Sequence, residues 1–410
     1  MSTAHQRKAP PLLPPEAHGR PAFSPLWELP DPTIAKSGDW YYVYATGQGI
    51  EARRSRDLVD WEVLPPVFSE AVPSWAKEKI PGADSVWAPD IRKVGERWHL
   101  HYSVSTLGSQ CSVLGLATAE TLDPSDPRGG WKDEGLVLAS ETRKDPYNAL
   151  DSSVCLDENG RPWIVWGSYF SGIFLAEADP ITGKIVPGAP HHHLATRAPG
   201  DGHLGYYGPG IEGPMIIHKL GRFYLFVSLA DQINYHVVVG RADRITGPYL
   251  DRMGRPLLGN GGTTVIASYG RYRGNGHNGA LVDECPWFDV FVNHTLMESS
   301  RDLQVRPMFW SEDGWPLVGE VLTRPHREVP PSMEGPWIHQ VAWRDAPQVE
   351  FRSDGTLRDR RGAQGRWECR GRILQLAWAS GQKEECYIHP DGDSYVGRDD
   401  HDADIRGFRA

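Results

Sequence analysis

What the chain lacks sets the first bounds. None of its 410 residues falls in an apolar run approaching the roughly 18 or more that a membrane helix needs, so no span is expected. Basic residues do not predominate: 43 Lys and Arg stand against 53 Asp and Glu. With no basic cluster, a nucleic-acid partner is disfavoured, because phosphate binding draws its affinity from Lys and Arg. The five cysteines, Cys111, Cys155, Cys285, Cys369 and Cys386, are odd in number and widely spaced. They read as free thiols, with neither a disulfide framework nor a zinc spacing. The N-terminus, Met1-Ser-Thr-Ala-His-Gln-Arg-Lys, carries no apolar core of a secretory signal. A cytoplasmic location is therefore the expectation, with secretion the alternative had the N-terminus been trimmed. No long amphipathic helix pattern stands out either.

What is present is turn chemistry and aromatic strand. The chain has 44 Gly, 34 Pro and 16 Trp, with 10% aromatics, a globular, β-leaning composition. Its length exceeds one ordinary small core, which calls for a repeat-built domain or two domains. Five aromatic strands recur about every 60 residues: Trp40–Thr46, Trp98–Val104, Trp163–Ser168, Phe223–Ser228 and Trp287–Asn293. Each follows a turn, such as Asn159-Gly160-Arg161, that is itself preceded by a short strand, so each unit opens with a β-hairpin. A unit of this size suits a four-stranded antiparallel sheet. Five of them arranged radially predict a five-bladed β-propeller, with a β-sandwich as the alternative.

At the head of each hairpin's first strand stands a polar residue: Asp31, Asp90, Asp151, Glu212 and His277. If the first strands are innermost, these side chains ring one mouth of the channel. Four carboxylates and a histidine in one funnel are costly unless solvent, hydrogen bonds or a cation balance them, which points to chemistry rather than stability. Two carboxyl groups flanking a bond are what glycoside hydrolysis requires, one held protonated as acid and the other acting on water. Asp90, followed by Ile91-Arg92, is expected to pair with a base or brace a loop. The triplet His191-His-His193 hints at metal, but adjacent histidines in a Pro/Gly-rich loop are expected to be solvated.

The repeat stops near Trp315-Pro316. The expected organisation is a Pro-rich tail over 1–22, a propeller over 23–325, a Pro-rich linker over 326–336 and a small all-β module, barrel or sandwich, over 337–410.

Asp31-Pro-Thr-Ile, Trp87-Ala-Pro-Asp90, Asn148-Ala-Leu-Asp151 with Trp166-Gly-Ser168, Ile211-Glu-Gly-Pro214 and Gly276-His-Asn278 follow one another in blade order. Together they resemble glycoside hydrolase family 43, and within it are most similar to the endo-1,5-α-L-arabinanases. The resemblance implies an inverting cleavage of α-1,5-linked arabinan or its oligosaccharides. Asp31 would be the general base, Glu212 the general acid and Asp151 the modulator of that acid. Trp87, with Asn148 and Ser168, would line the sugar subsites. His277 would help hold a calcium or similar ion, largely through waters, and no organic cofactor is implied. Pro30 and Leu107 stand where close arabinanases commonly carry a His and an aromatic. They keep open an exo-acting α-L-arabinofuranosidase or β-xylosidase, and a non-catalytic carbohydrate-binding propeller is the alternative of another class.

Overall fold

The computed structural model describes residues 24–197, 204–205, 208–229, 234–297, 300–325, 332–342, 347–401 and 403–410. The tail expected over 1–22 lies outside them, as do 326–331 of the expected linker.

Five four-stranded antiparallel sheets succeed one another, each with its strands in chain order. The first holds β1 (Thr33–Ser37), β2 (Trp40–Ala45), β3 (Glu51–Ser55) and β4 (Trp61–Leu64). After a single-turn helix, α1 (Ser74–Lys79), come β5 (Trp87–Val94), β6 (Arg97–Val104), β7 (Ser112–Ala119) and β8 (Lys132–Ser140). The third sheet is β9 (Ser153–Leu156), β10 (Pro162–Trp166), β11 (Ile173–Glu177) and β12 (His192–Ala195). A small ribbon, β13 (Leu204–Gly205) and β14 (Gly208–Pro209), precedes β15 (Ile211–Lys219), β16 (Arg222–Leu229), β17 (His236–Ala242) and β18 (Thr263–Ile266). The fifth sheet is β19 (Arg273–Leu281), β20 (Asp289–Met297), β21 (Ser300–Trp310) and β22 (Pro316–Val318). The five first strands touch in a closed circle, β1 to β5 to β9 to β15 to β19 and back to β1. They are therefore innermost, and the sheets are the blades of the expected five-bladed propeller.

The aromatic strands occupy second place in each blade because a blade is covered on both faces. One cluster joins Tyr42 and Tyr44 of β2 to Leu100, Tyr102 and Val113 of the next blade. A second joins Val165 of β10 and Leu175 of β11 to Leu225 and Val227 of β16. Such strands read as nearly continuous apolar runs: every residue of β16 after Arg222 is buried. The fifth aromatic strand departs from expectation. The Asp289 carboxylate accepts the Asp283 N–H at 2.8 Å, closing a turn that takes in Trp287. The strand starts at Asp289, and Trp287 is left exposed.

The C-terminal module resolves to a closed eight-stranded barrel rather than a sandwich. Its strands are β23 (Gly335–Val341), β24 (Gln348–Phe351), β25 (Thr356–Asp359), β26 (Gln364–Arg370), β27 (Ile373–Trp378), β28 (Lys383–Ile388), β29 (Ser394–Asp399) and β30 (Asp404–Arg409), the last pairing back on the first. Along β27 and β28 one face is covered and burial alternates accordingly, whereas β29 is buried throughout Ser394–Arg398. Leu374 and Leu376 of β27, with Cys386 and Ile388 of β28, point inward to Trp337 and Phe351.

Candidate active site

Within each innermost strand, or just ahead of it, lies a corner in the left-handed backbone region: Asp31 (φ 53), Ala88 (φ 42), Asp151 (φ 56), Gly213 (φ 56) and His277 (φ 42). Four of the five are not glycine, and such a conformation costs on the order of 1 kcal/mol each. Register shifts mark the same places in β5, β15 and β19, as bulges that re-aim a side chain do. Hydrogen bonds across blade junctions fix the corners. The Ala88 N–H donates to Thr46 Oγ1 (2.8 Å), Asp151 N–H to Ser103 Oγ (3.0 Å) and His277 N–H to Ser228 Oγ (2.8 Å). The Asp31 N–H donates to His294 Nδ1 at 3.1 Å, which joins the fifth blade to the first. At the fourth corner the acceptor is different: the Gly213 N–H donates to Asp151 Oδ2 at 3.2 Å. Ser168, from the preceding blade, is turned instead onto Glu212.

Asp31 is surrounded by a hydroxyl, two imidazoles and the charge of Arg301. Its Oδ2 accepts the Thr46 hydroxyl at 2.6 Å, and Oδ1 lies 3.4 Å from His277 Nδ1 and 3.3 Å from His294 Nδ1. Burial pushes this carboxyl up, but His277, His294 and Arg301 outweigh it and hold it well below the usual carboxylate range. Burial also lowers the His277 imidazole, against the pull of Asp31. Where that ring is neutral, the Thr46 hydroxyl and the Arg301 charge still favour an ionised Asp31.

The other side of the mouth is anionic. Burial, then the charges of Glu212 and Asp31, push Asp151 well above the ordinary carboxylate value, opposed by the one Gly213 N–H. Burial raises Glu212 as well, opposed by two hydroxyls: Ser168 Oγ donates to Oε2 and Tyr235 OH to Oε1, each at 2.8 Å. Two interacting buried carboxyls titrate as a unit and resist holding two charges. The arrangement thus sets an ionised carboxylate beside a proton-retaining pair, which is the equipment for general base and general acid.

The remaining expected residues divide. Trp87 is half-buried at the start of β5, its Nε1–H donating to Ser85 Oγ at 3.0 Å. Asn148 is buried with its amide committed to protein: Oδ1 accepts from Ser112 Oγ (2.7 Å), and Nδ2 donates to Ser109 O (3.3 Å). It holds the loop that leads to Asp151. Ser168 reaches Glu212 rather than open space. Asp90 falls two residues past its blade's corner, which Ala88 occupies, so it is not in register with Asp31 and Asp151. Its carboxyl instead clamps blades, accepting the Thr33 hydroxyl of β1 (3.2 Å) and the Val154 N–H of β9 (2.9 Å). The histidine triplet does not converge: His191 meets Trp166 edge-on, His192 tilts against Trp163 and His193 stacks on Phe174.

An ion at the channel centre would find the His277 ring, itself beside Asp31. Among the described residues the group of three potential ligand side chains within reach of one another is Asp399, Asp400 and His401, at the end of β29 in the C-terminal barrel. A calcium-like ion seeks six to eight oxygens. The donors at the mouth fit an ion held mainly through water, not a protein cage.

Thr46, Tyr235 and His294 were not singled out by sequence. Thr46 and His294, like Ser103 and Ser228, are polar residues at or near the ends of aromatic second strands, and that shared position was the available signal. Tyr235 follows a loop and carried none.

Residues 26–316 match the family model described as glycosyl hydrolases family 43. An extracellular exo-α-(1→5)-L-arabinofuranosidase of Cellvibrio japonicus is 34% identical over 307 residues, 72% of this chain and 87% of that protein. An extracellular endo-α-(1→5)-L-arabinanase of Bacillus subtilis is 33% identical over 72% of this chain and 91% of its own length. The solved structure of a Cellvibrio cellulosa α-L-arabinanase with arabinohexaose superposes with a TM-score of 0.66 at 31% identity, covering 71% of this chain and 95% of that one. On the extent of the family match and the identity of these relatives, the chain belongs to family 43 of the glycosyl hydrolases.

Proposed function

We propose that the chain is an inverting glycosidase cleaving α-1,5-linked L-arabinofuranosyl bonds in arabinan or its oligosaccharides. The observation that carries this reading is the opposed protonation across the channel mouth: Asp31 is biased to the anion, Asp151 and Glu212 to retain a proton. In the reaction, Asp31 takes a proton from the water that attacks the anomeric carbon. Glu212 gives its proton to the departing glycosidic oxygen, so one proton enters the protein as another leaves. Asp151 transfers none. It holds the Gly213 corner, and with Glu212 it forms one buried pair that resists taking a second charge. Trp87 supplies a sugar-facing surface, with Asn148 and Ser168 supporting the loops and the acid behind it. A hydrated cation against His277 would offset the local negative charge, and no step is routed through it.

The linkage and sugar are taken from the relatives, whose names state activity on α-(1→5)-L-arabinan linkages. Their extracellular naming also favours export over the cytoplasmic location expected from the N-terminus. The exo-acting relative, together with Pro30 and the exposed Leu107, supports an exo-acting arabinofuranosidase as the second reading.

Product analysis on linear arabinan tests the function. Short oligomers of several lengths early in the digest are expected; a single small product from the outset selects the exo reading. No release of reducing sugar from arabinan or its oligosaccharides, matched by equal sugar binding in wild type and Glu212→Gln, would establish a binding propeller instead.

A further inference from the structure

Tyr235 is almost wholly buried, yet its hydroxyl is spent on a carboxyl oxygen rather than on backbone. It donates to Glu212 Oε1 at 2.8 Å while Ser168 donates to Oε2 at 2.8 Å. With one donor on each oxygen, the plane of the carboxyl group is fixed from both sides, as a proton donor aimed at one glycosidic oxygen requires. The ring itself is seated with care. It stacks on His294 with centroids 5.6 Å apart and planes 22° from parallel, and His294 in turn abuts Asp31. Behind it lies Gly276, where a Cβ would fall 1.8 Å from Tyr235 Cδ1. The chain leaves out a side chain at that one place and the phenol ring takes the room.

We infer that Tyr235 is the positioning residue for Glu212: it orients the acid for proton delivery and, through its stack on His294, braces the acid side of the mouth against the base side. The inference rests on the reading of Glu212 as general acid. Groups bearing on Glu212 besides Tyr235 are Ser168, His277 and Asp31, with Asp151 coupled to it. Of the two hydroxyls that bond it, Tyr235 is the one tied to the base as well. After the proton leaves, the phenol O–H remains bonded to the carboxylate so formed, and hydrogen bonds to charged groups are the strong ones. Tyr235 neither gains nor loses a proton.

The test separates orientation from packing by leaving-group dependence. Aryl α-1,5-L-arabinotriosides whose phenols range from strongly to weakly acidic are compared with arabinohexaose, using the full chain. In Tyr235→Phe, kcat on arabinohexaose should fall about tenfold with KM within about twofold. On the aryl glycoside with the most acidic phenol, which departs without protonation, kcat should fall less than about twofold. Equal losses on every substrate, or none on any, overturn the inference and leave Tyr235 a packing residue. Glu212→Ala is run alongside. If it shows the same leaving-group dependence, larger in size, while Tyr235→Phe shows none, only the positioning role fails. If Glu212→Ala loses all substrates equally, the acid assignment falls and the inference with it. Thermal unfolding confirms that each variant folds. Should Tyr235→Phe not fold, Ser168→Ala removes the opposite donor, and unchanged leaving-group dependence there overturns the two-sided clamp.

Discussion

Asp31 and the Asp151–Glu212 pair occupy the same ring of blade corners and are all largely buried, yet their protons are biased in opposite directions. Burial cannot be the cause of the difference, because it raises every one of these carboxyls. The neighbours decide. Asp31 faces two imidazoles, a guanidinium and the Thr46 hydroxyl, whereas Asp151 faces two other carboxylates and a single backbone N–H. One ring therefore holds a base and an acid side by side because the blades present unlike residues at like positions.

Asp31→Asn should have the largest effect. As the proposed base, its loss should lower kcat about 10²- to 10⁴-fold. Stability should move too. The folded value is depressed from the ordinary 3.8, so the contribution of Asp31 is present above that value and lost as pH falls through the lower folded one. The variant should melt below wild type at neutral pH, with the gap closing in strong acid. A higher melting temperature at pH 7 would mean that Asp31 is held no differently from the other carboxyls.

Asp151→Asn should do the reverse. Turnover is expected to fall about 10- to 100-fold, and the alkaline limb of the pH–rate profile, set by loss of the Glu212 proton, should move to lower pH. Because the folded value of Asp151 is raised, the folded chain binds more protons than the unfolded one as pH climbs past the ordinary carboxylate range. Wild type loses stability there and the amide does not. The variant should melt about 3 °C above wild type at pH 7 and equal to it near pH 4. A lower melting temperature at pH 7 would sink the comparison from the acid side.

Gly276→Ala probes the seam between the two halves. The added methyl cannot coexist with the Tyr235 ring, 1.8 Å away, so the phenol must shift from Glu212 and from His294 together. The expected loss on arabinohexaose is about five- to tenfold, with activated aryl glycosides spared, as for Tyr235→Phe. Unchanged kcat on both substrate types would show that the ring is not held where the stack places it.

Much of this was legible in the sequence. The propeller followed from five aromatic strands, since a strand covered on both faces must be apolar along its whole length and so stands out against its neighbours. Asp31, Asp151, Glu212 and His277 were legible because the same strand layout put a polar residue at each first-strand head. Less legible was anything that depends on a neighbouring blade. Asp90 looked like a fifth ring member, but the register shift between Trp87 and Asp90 gives the corner to Ala88. Ser168 and Asn148 looked sugar-facing, while their partners lie up to 44 residues away. Longer still is the separation between His294 and Asp31, 263 positions. Hairpins leave a local pattern in sequence, whereas contacts made by closing the circle do not.

Asp90 offers the finest test, because it shares the raised value of the acid side without sharing its position. Burial pushes its carboxyl up to about 6, against the pull of Arg92 and the Val154 and Thr33 hydrogen bonds. Its charge is therefore a burden at neutral pH, although it touches neither Asp31 nor Glu212 through any hydrogen bond described above. In Asp90→Asn the amide oxygen can keep the Val154 N–H, and the Thr33 hydroxyl can turn to accept from the amide nitrogen, so the clamp between blades persists. Turnover should stay within about twofold of wild type. The melting-temperature gain over wild type should grow between the ordinary 3.8 and about 6 and stay level above, since beyond the folded value both states of wild type are ionised. A melting gain with intact turnover places Asp90 in the frame of the propeller; a loss of turnover comparable to that of Asp151→Asn would return it to the ring of reacting groups and make the mouth a four-carboxylate site.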